Sequence, residues 1–343
     1  MCGIQILLIC IFKNYYCYVI VIPCITFLTN IVNLCYANKL FPNIICKGSI
    51  DSNRKKDIGK RVLGLSIIKI SAASRNALDS IIVSAFLGLN IVAIYNNYFY
   101  ILHAVSSILL VFTSSIAAGV GNTVATQSKE QNLARMRHLN FMNMLLTGLC
   151  AVMMLNIYQP FMKLWVGEEM MFSELIVIMF VLYFYMGQMG NIIVQYFDAA
   201  GLWWKGKWRG VIETILNLTL NLLLGYYFGV EGILLATIIS AGIVSIPLLF
   251  FYTFKHYFML SAKSYLLDHL LLFLIMLIIG VVSYLVCNLI ILPETFLFGI
   301  LTMIIRTIIT SLVFLFSILV LWKYPLFIET RNFIFTQLKI KKR

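Results

Sequence analysis

The feature that most constrains this chain is a series of apolar runs, each long enough to cross a membrane, with charged residues gathered between them. One run, LLLFLIMLIIGVVSYLVCNLIIL at 270–292, contains no charged residue. A membrane-spanning helix needs about 20 apolar residues. Hydrophobic residues make up 62% of the chain and charged residues 11%, whereas a soluble domain carries about 25% charged residues. The sequence therefore predicts an all-α integral membrane protein.

The predicted spans fill the chain and leave no room for a separate soluble domain. The stretch YYFGVEG at 226–232 supplies glycines and a charge that divide one long apolar run into two spans. We predict about nine full transmembrane helices, preceded by a partial helix at 3–12. The full spans are 15–36, 62–88, 91–118, 138–157, 172–196, 211–228, 230–254, 265–290 and 296–322.

Basic residues alternate between the predicted loops and indicate an orientation. If the 37–61 loop is cytoplasmic, that side of the membrane holds 21 of the 26 Lys and Arg residues, and the other side holds only Lys13 and Lys163. This distribution follows the positive-inside rule and places the C-terminus in the cytoplasm. The net charge of +13 is therefore interpreted as a sign of membrane orientation, and we expect no nucleic-acid partner.

Cysteine and histidine residues do not form a metal-binding pattern. The 8 Cys include no CxxC pair, and the 4 His have no thiol or carboxylate at ligand spacing. The chain also has no glycine-rich phosphate loop, no GxSxG motif and no paired acidic motif. We therefore expect neither a metal site, nor a cofactor, nor an enzyme.

Three charged residues, Lys69, Arg75 and Asp79, lie inside span 62–88. Each ionised group at the centre of a bilayer costs about 2.5–3.5 kcal/mol on insertion scales. Arg75 and Asp79 are four residues apart, so they share a helix face and are predicted to neutralise one another in part. A structural ion pair with a snorkelling lysine is one interpretation. We favour a second, in which the helix lines a wet cavity, because intramembrane charges usually mark a substrate path.

A second set of polar residues recurs at helical spacing on two later spans. On span 211–228 these residues occupy every fourth position and follow one face, with Glu213 in reach of Arg209. The set comprises Arg209, Glu213, Asn217 and Asn221, together with Asn191 and Gln195 on the preceding span. Hydrogen bonding between helices is the alternative role for each single Asn or Gln. Several polar faces together favour a shared cavity.

Five segments of the chain together carry a family resemblance. They are ALDSIIVSAFLGLNIVAIYNNYFYI (77–101), GVGNTVATQSKE (119–130), FMKLWVGEEMMFS (161–173), FYMGQMGNIIVQYFDAAGLWWKGKWRGVIETILNLTLN (184–221) and FGVEGILLATIIS (228–240). In this order they resemble bacterial polysaccharide-export flippases, the lipid-linked oligosaccharide (O-antigen type) translocases of the multidrug/oligosaccharidyl-lipid/polysaccharide superfamily. The resemblance covers roughly residues 15–258.

The resemblance implies two six-helix lobes that face a central cavity. Compared with that pattern, residues 1–36 are the end of the first lobe and 37–61 are a basic cytoplasmic linker. Residues 62–258 are then a complete second lobe, similar to that of multidrug exporters (MATE-like), and 259–322 are an additional helix pair. Residues 323–343 are a basic cytoplasmic tail. The first four helices and most of the fifth have no counterpart, so we expect an N-terminally truncated form.

The resemblance also implies a function. Family members move polyprenyl-pyrophosphate-linked oligosaccharide repeat units across the bacterial cytoplasmic (inner) membrane for polysaccharide biosynthesis, in a pathway with glycosyltransferases and a polysaccharide polymerase. By this comparison Lys69 and Arg75 bind the pyrophosphate, Asp79 moderates Arg75, and Arg209 receives the headgroup. The Asn, Gln and Tyr faces, including Tyr183, contact sugar hydroxyls. A coupling Na⁺ or H⁺ is expected at Asp79 or Glu213.

Two other functions remain open at the level of sequence. The first is a multidrug-type exporter of the same superfamily, which would favour acidic residues in its cavity. The second is a remnant that no longer transports. An integral-membrane enzyme ranks last, because no catalytic loop is present in the sequence.

Overall fold

The computed structural model describes residues 2–42, 48–290, 293, 295–321 and 324–340. All the regular secondary structure in these ranges is helical. The chain divides into two compact units, Met1–Lys56 and Asp57–Arg343. Each unit is described by itself.

The first unit is built on two apolar helices, α1 (Cys2–Phe12) and α2 (Tyr15–Leu40), which pack on one another. Between them Lys13 adopts a left-handed backbone conformation with φ 47. Asn14 then caps α2, because its side-chain oxygen accepts a hydrogen bond of 2.9 Å from the backbone N–H of Tyr16. Most apolar side chains of both helices are exposed within the described structure.

The second unit is a larger helical bundle. Its helix α5 is buried along most of its length, and α4, α6, α10, α11 and α12 pack against it. Ser128 and Gln131 begin α5 with a capping box, in which each side chain bonds the backbone of the other. The helices are α3 (Ser52–Leu87), α4 (Leu89–Thr126), α5 (Lys129–Trp165), α6 (Glu174–Met189), α7 (Asn191–Ala199), α8 (Trp203–Ser240), α9 (Ile246–Thr253), α10 (Lys263–Asn288), α11 (Phe296–Leu321) and α12 (Pro325–Ile340).

Helix α8 contains a break where the sequence predicts a turn. Gly229 has φ 58 and ψ −131 inside α8, a conformation that glycine adopts far more readily than other residues. Gly232 lies so close to the chain before the break that a Cβ there would collide with the carbonyl group of Leu224. The chain after Gly229 continues through π-helical turns at Ala241–Ser245 and Phe254–Phe258.

Seven helical segments in the described ranges are long and apolar enough to cross a membrane. They are Tyr15–Leu40, Leu89–Thr126, Lys129–Trp165, Glu174–Ala199, Trp203–Phe258, Lys263–Asn288 and Phe296–Leu319. The protein is therefore a multi-pass membrane protein. The predicted number of about nine full spans stays a prediction, because the 56-residue segment Trp203–Phe258 is one of the seven and is broken at Gly229. Helix α3 carries polar and charged residues and is not among the seven.

Two predicted connectors contain helix. The predicted linker 37–61 begins with the last turn of α2 and ends with the first turns of α3, while 43–47 lie outside the described residues. The predicted tail 323–343 contains α12, which begins at Pro325, a residue that suits the first position of a helix. Thr330 of α12 and His138 of α5 are joined through Oγ1 and Nδ1 at 3.1 Å. The five predicted domain boundaries themselves stay predictions.

Candidate functional site

An ion pair between α3 and α8 lies at the centre of the candidate site. The guanidinium Nη1 of Arg75 donates a hydrogen bond to Oε1 of Glu213. The side chain of Glu213 is 7% exposed and that of Arg75 is 23% exposed. The sequence predicted two other interactions, Arg75 with Asp79 and Glu213 with Arg209. Neither pair lies within ion-pair distance among the described residues, where Arg75 and Glu213 pair with each other instead. Residues four apart share a helix face, but Glu213 on the neighbouring helix α8 lies closer to Arg75 than Asp79 does.

Small residues allow α3 and α8 to approach closely. A Cβ at Gly64 would lie 2.7 Å from the backbone of Trp203, and a Cβ at Gly210 would lie 3.2 Å from the Cβ of Ser71. The hydroxyl of Thr214 donates a 3.1 Å hydrogen bond to the carbonyl oxygen of Ser71. Close packing through glycine is a common way for helices to associate in membranes. It explains how Arg75 reaches across to Glu213.

The ion pair borders a cavity of about 140 Å³, here named the arginine cavity. Its lining carries two arginines and one carboxylate, so the charged side chains of the cavity sum to one positive charge. Its polar residues include Arg75, Tyr183, Asn191, Arg209, Glu213 and Thr237. Asn191 is held by Gln188, whose Oε1 accepts a 2.6 Å hydrogen bond from the Asn191 amide.

Arg209 is the arginine of this cavity that forms no salt bridge among the described residues. In the described part of the chain no carboxylate lies within ion-pair distance of Arg209. Its Nε atom is buried and has no hydrogen-bond partner there. The guanidinium carbon lies 5.7 Å from the centre of the Phe197 ring. A buried group of this kind ordinarily has a partner, and an anionic ligand would supply one.

Asp79 belongs to a separate buried set of side chains, here named the Asp79 network. Its Oδ1 accepts a 2.7 Å hydrogen bond from the Asn221 amide, and its Oδ2 accepts a 3.4 Å bond from the Thr237 hydroxyl. The Asn217 amide donates to Thr237 at 2.9 Å, and Asn221 also donates to Asn217 at 3.1 Å. The remaining oxygen of Asn221 is buried without a partner among the described residues.

The predicted site residues therefore divide into three groups. Arg75, Asn191, Arg209 and Glu213 line the arginine cavity, and Asp79, Asn217 and Asn221 form the Asp79 network. Lys69 is exposed and Gln195 is half-buried, and neither lines this cavity. The functional role of each residue stays a prediction.

Sequence reasoning did not assign a role to two residues that the structure brings to the site. Thr237 and Ser240 lie on the chain after the Gly229 break, and both accept hydrogen bonds from the Asn217 amide. Tyr183 of α6, which belongs to the predicted polar faces, lines the arginine cavity. The spacing of Thr237 and Ser240, three residues apart on a predicted apolar helix, was the signal that could have revealed them. Among the residues that the structure describes, no group of three His, Cys, Asp or Glu side chains is placed to hold a metal ion.

The helical fold and the charged cavity within it define the class of this protein as a multi-pass α-helical membrane protein with a polar site among its spans. Its fold is similar to that of a solved structure, "Lipid II flippase MurJ, inward closed conformation", with a TM-score of 0.54 and 17% sequence identity. The match covers 76% of this chain and 52% of that chain, so this chain spans about half the length of that flippase. No protein-family profile and no curated protein sequence matches it. At this identity the similarity establishes the fold alone.

Proposed function

We propose that this protein acts in moving a polyprenyl-pyrophosphate-linked oligosaccharide repeat unit across the bacterial cytoplasmic membrane for polysaccharide biosynthesis. The observation that carries this proposal is the unbalanced positive charge of the arginine cavity, which has Arg75 and Arg209 against the single carboxylate of Glu213. A charge held among apolar helices is costly unless it is paired, and a pyrophosphate supplies the missing negative charge. The fold shared with a protein named as a lipid II flippase supports the same class of substrate.

In this proposal the two arginines have different tasks. Arg209, which has no carboxylate at ion-pair distance in the described chain, makes the first contact with the phosphate oxygens. Guanidinium groups suit this task because they donate two parallel hydrogen bonds to a phosphate. Arg75 is held in place by Glu213 and completes the site. Alternating access would follow from movement of one lobe against the other.

A coupling cation, Na⁺ or H⁺, is proposed to bind at Asp79. Glu213, the other residue that the sequence suggested, is already paired with Arg75. Asp79 is 4% exposed and accepts two hydrogen bonds, but no cationic side chain lies within ion-pair distance of it in the described part of the chain. The unpaired oxygen of Asn221 offers a further ligand beside it. Oxygen-rich sites inside broken helices are where transporters commonly hold coupling ions.

The other proposed features follow from the same function. The partners are the lipid bilayer, the lipid-linked oligosaccharide, and the glycosyltransferases and polymerase of its pathway. The C-terminus is proposed to be cytoplasmic, and the protein is proposed to be a transporter and not an enzyme. A multidrug-type exporter of cations is less well supported, since the lining of the arginine cavity carries more positive than negative charge.

The proposal is tested with the purified chain in liposomes that contain a fluorescent polyprenyl-pyrophosphate disaccharide. We expect Arg209→Gln to weaken binding about 10- to 100-fold, because a hydrogen bond to a charged group contributes about 1.5–3 kcal/mol. Flipping, followed by quenching of the outer-leaflet fluorophore, should fall with it. Lys207→Gln is the matched control, because Lys207 is a cation on the same helix that stacks on Trp204 and does not line the cavity.

Two other results would be decisive. Unchanged binding in both Arg209→Gln and Arg75→Gln would overturn the proposal. Arginine-dependent binding without flipping would instead identify a binding protein that does not transport by itself, which is the remnant interpretation.

A further inference from the structure

A second cavity, of about 260 Å³, adjoins the arginine cavity and has a different chemical character. It is here named the aromatic cavity. Its lining includes Asp79 and Ser80 of α3, together with Tyr95, Asn96, Phe99 and His103 of α4 and Tyr183 of α6. Tyr183 lines both cavities, so the two meet at one side chain.

The aromatic wall of this cavity is held in place by ring packing. The ring of Phe99 lies 4.6 Å from that of Tyr95 and 5.8 Å from that of His103, centre to centre. It meets the ring of Tyr183 edge-on at 5.3 Å. Rings packed in this way have few alternative positions. The wall therefore forms a preorganised apolar surface.

Polar groups of the same cavity are available to a ligand. Tyr95 is 1% exposed, yet its hydroxyl has no hydrogen-bond partner among the described residues. Asn96 and His103 are exposed and Tyr183 is half-buried, so their polar atoms stand open to a ligand in the cavity. The neighbouring Tyr98 shows the usual arrangement, since its hydroxyl donates a 2.8 Å bond to Gln159. A buried hydroxyl normally finds a partner. The orphaned Tyr95 hydroxyl, beside the accessible polar side chains of Asn96 and His103, points to a ligand that carries its own donors and acceptors.

The combination of an aromatic wall and available polar groups suits a sugar ring. A pyranose presents C–H groups on its face and hydroxyls around its edge, so one molecule can satisfy both parts of the lining. A cavity of about 150 Å³ takes up a six-membered ring as large as benzene, and this cavity is larger. We infer that the aromatic cavity binds one neutral pyranose residue of the lipid-linked headgroup, while the arginine cavity holds the adjoining pyrophosphate. This inference rests on the proposed function. It assigns the sugar to a lining that shares only Tyr183 with the arginine cavity.

The probe for this inference is a soluble methyl glycoside, such as methyl N-acetylglucosaminide or methyl glucoside. Its binding to the purified full chain is measured by saturation-transfer NMR in a detergent without a sugar headgroup. We expect Tyr95→Phe to weaken binding about 3- to 10-fold, the effect of one hydrogen bond. Thermal stability should be unchanged, because the hydroxyl it removes bonds nothing in the described protein. Asn96→Ala should act in the same direction.

Tyr196→Phe is the matched control, because the Tyr196 hydroxyl is also buried without a partner among the described residues but does not line the aromatic cavity. Equal glycoside binding by the native chain, Tyr95→Phe and Asn96→Ala would overturn the inference, as would binding of no glycoside by the native chain. Binding of inorganic pyrophosphate is measured in the same samples. Pyrophosphate binding without glycoside binding would defeat this inference alone, and the reverse result would defeat the proposed phosphate site alone.

Discussion

The buried carboxylate of Asp79 is only partly compensated by its surroundings. Two donors, Asn221 and Thr237, face its carboxylate, but two neutral hydrogen bonds compensate only part of the cost of a buried charge. A bound cation would supply the rest. In the proposed transport function, this carboxylate is the residue through which an ion gradient would act.

We expect Asp79→Asn to remove the dependence of flipping on a Na⁺ or H⁺ gradient and to leave pyrophosphate binding within about twofold of native, because Asn keeps the shape and loses the charge. The measurement is the flipping rate in liposomes with an imposed Na⁺ gradient or an imposed pH gradient. Asp268→Asn is the control, since Asp268 pairs with Arg137 at 3.9 Å and lines neither the arginine cavity nor the aromatic cavity. Gradient dependence that persists in Asp79→Asn would exclude this residue as the coupling site.

At the residue scale the sequence predicted which side chains are polar and buried but not how they pair. The four-residue spacing correctly placed Arg209, Glu213, Asn217 and Asn221 on one side of α8. It could not show that α3 crosses close to α8 through Gly64 and Gly210, because that approach depends on tertiary packing. The partner of Arg75 was therefore beyond what spacing alone could predict.

The break of α8 at Gly229 is the feature of a single element on which the site most depends. It turns the chain back so that Thr237 and Ser240 face Asn217. An amino acid with a side chain is strained at φ 58 and ψ −131. The backbone at this point therefore needs glycine, and the Asp79 network depends on it.

Gly229→Ala should lower the free energy of unfolding by about 1–3 kcal/mol, the usual cost of a residue in a sparsely populated backbone region. The measurement is the melting temperature of the purified protein in detergent. Gly119→Ala provides the comparison, because Gly119 lies in α4 with open space around it. That substitution should be neutral or stabilise the protein by up to about 1 kcal/mol. Equal melting temperatures for the two variants would contradict the proposed role of Gly229.

Element boundaries were predicted less well than element positions, for a physical reason. Hydropathy placed a span at 138–157, whereas α5 covers Lys129–Trp165. The apolar window ends where charges begin, but the helix continues into its polar ends and starts at the Ser128 cap. Helix α12 was missed because its charges resemble a solvated tail, while its buried Leu326 and Thr330 are spaced four residues apart on one face.

At the scale of the whole molecule, the alternation of basic residues predicts which loops face the cytoplasm. We expect a cysteine introduced by Lys129→Cys to be protected from a membrane-impermeant maleimide in intact cells, and one introduced by Glu169→Cys to be labelled. Both positions are exposed in the described structure, and the background chain has its 8 native Cys replaced by Ala. Labelling after the cells are opened is the control for reactivity. The reverse pattern would invert the predicted orientation.

Composition and hydropathy alone predicted the helical, multi-pass character of the molecule, which the structure confirms. The positions of the two cavities could not be predicted in the same way. Each is formed by residues from helices that are far apart in the sequence, such as Ser80 and Tyr183 in the aromatic cavity. Their meeting depends on how the bundle packs.

The Arg75–Glu213 pair also has a consequence for selectivity. An incoming anion must compete with a carboxylate that already occupies Arg75. A phospholipid with a single negative charge gains little by taking the place of that carboxylate, whereas a headgroup with several charges gains much more. Glu213 would thus exclude the abundant singly charged lipids from Arg75 by competition, and only a lipid carrier with several negative charges would displace it.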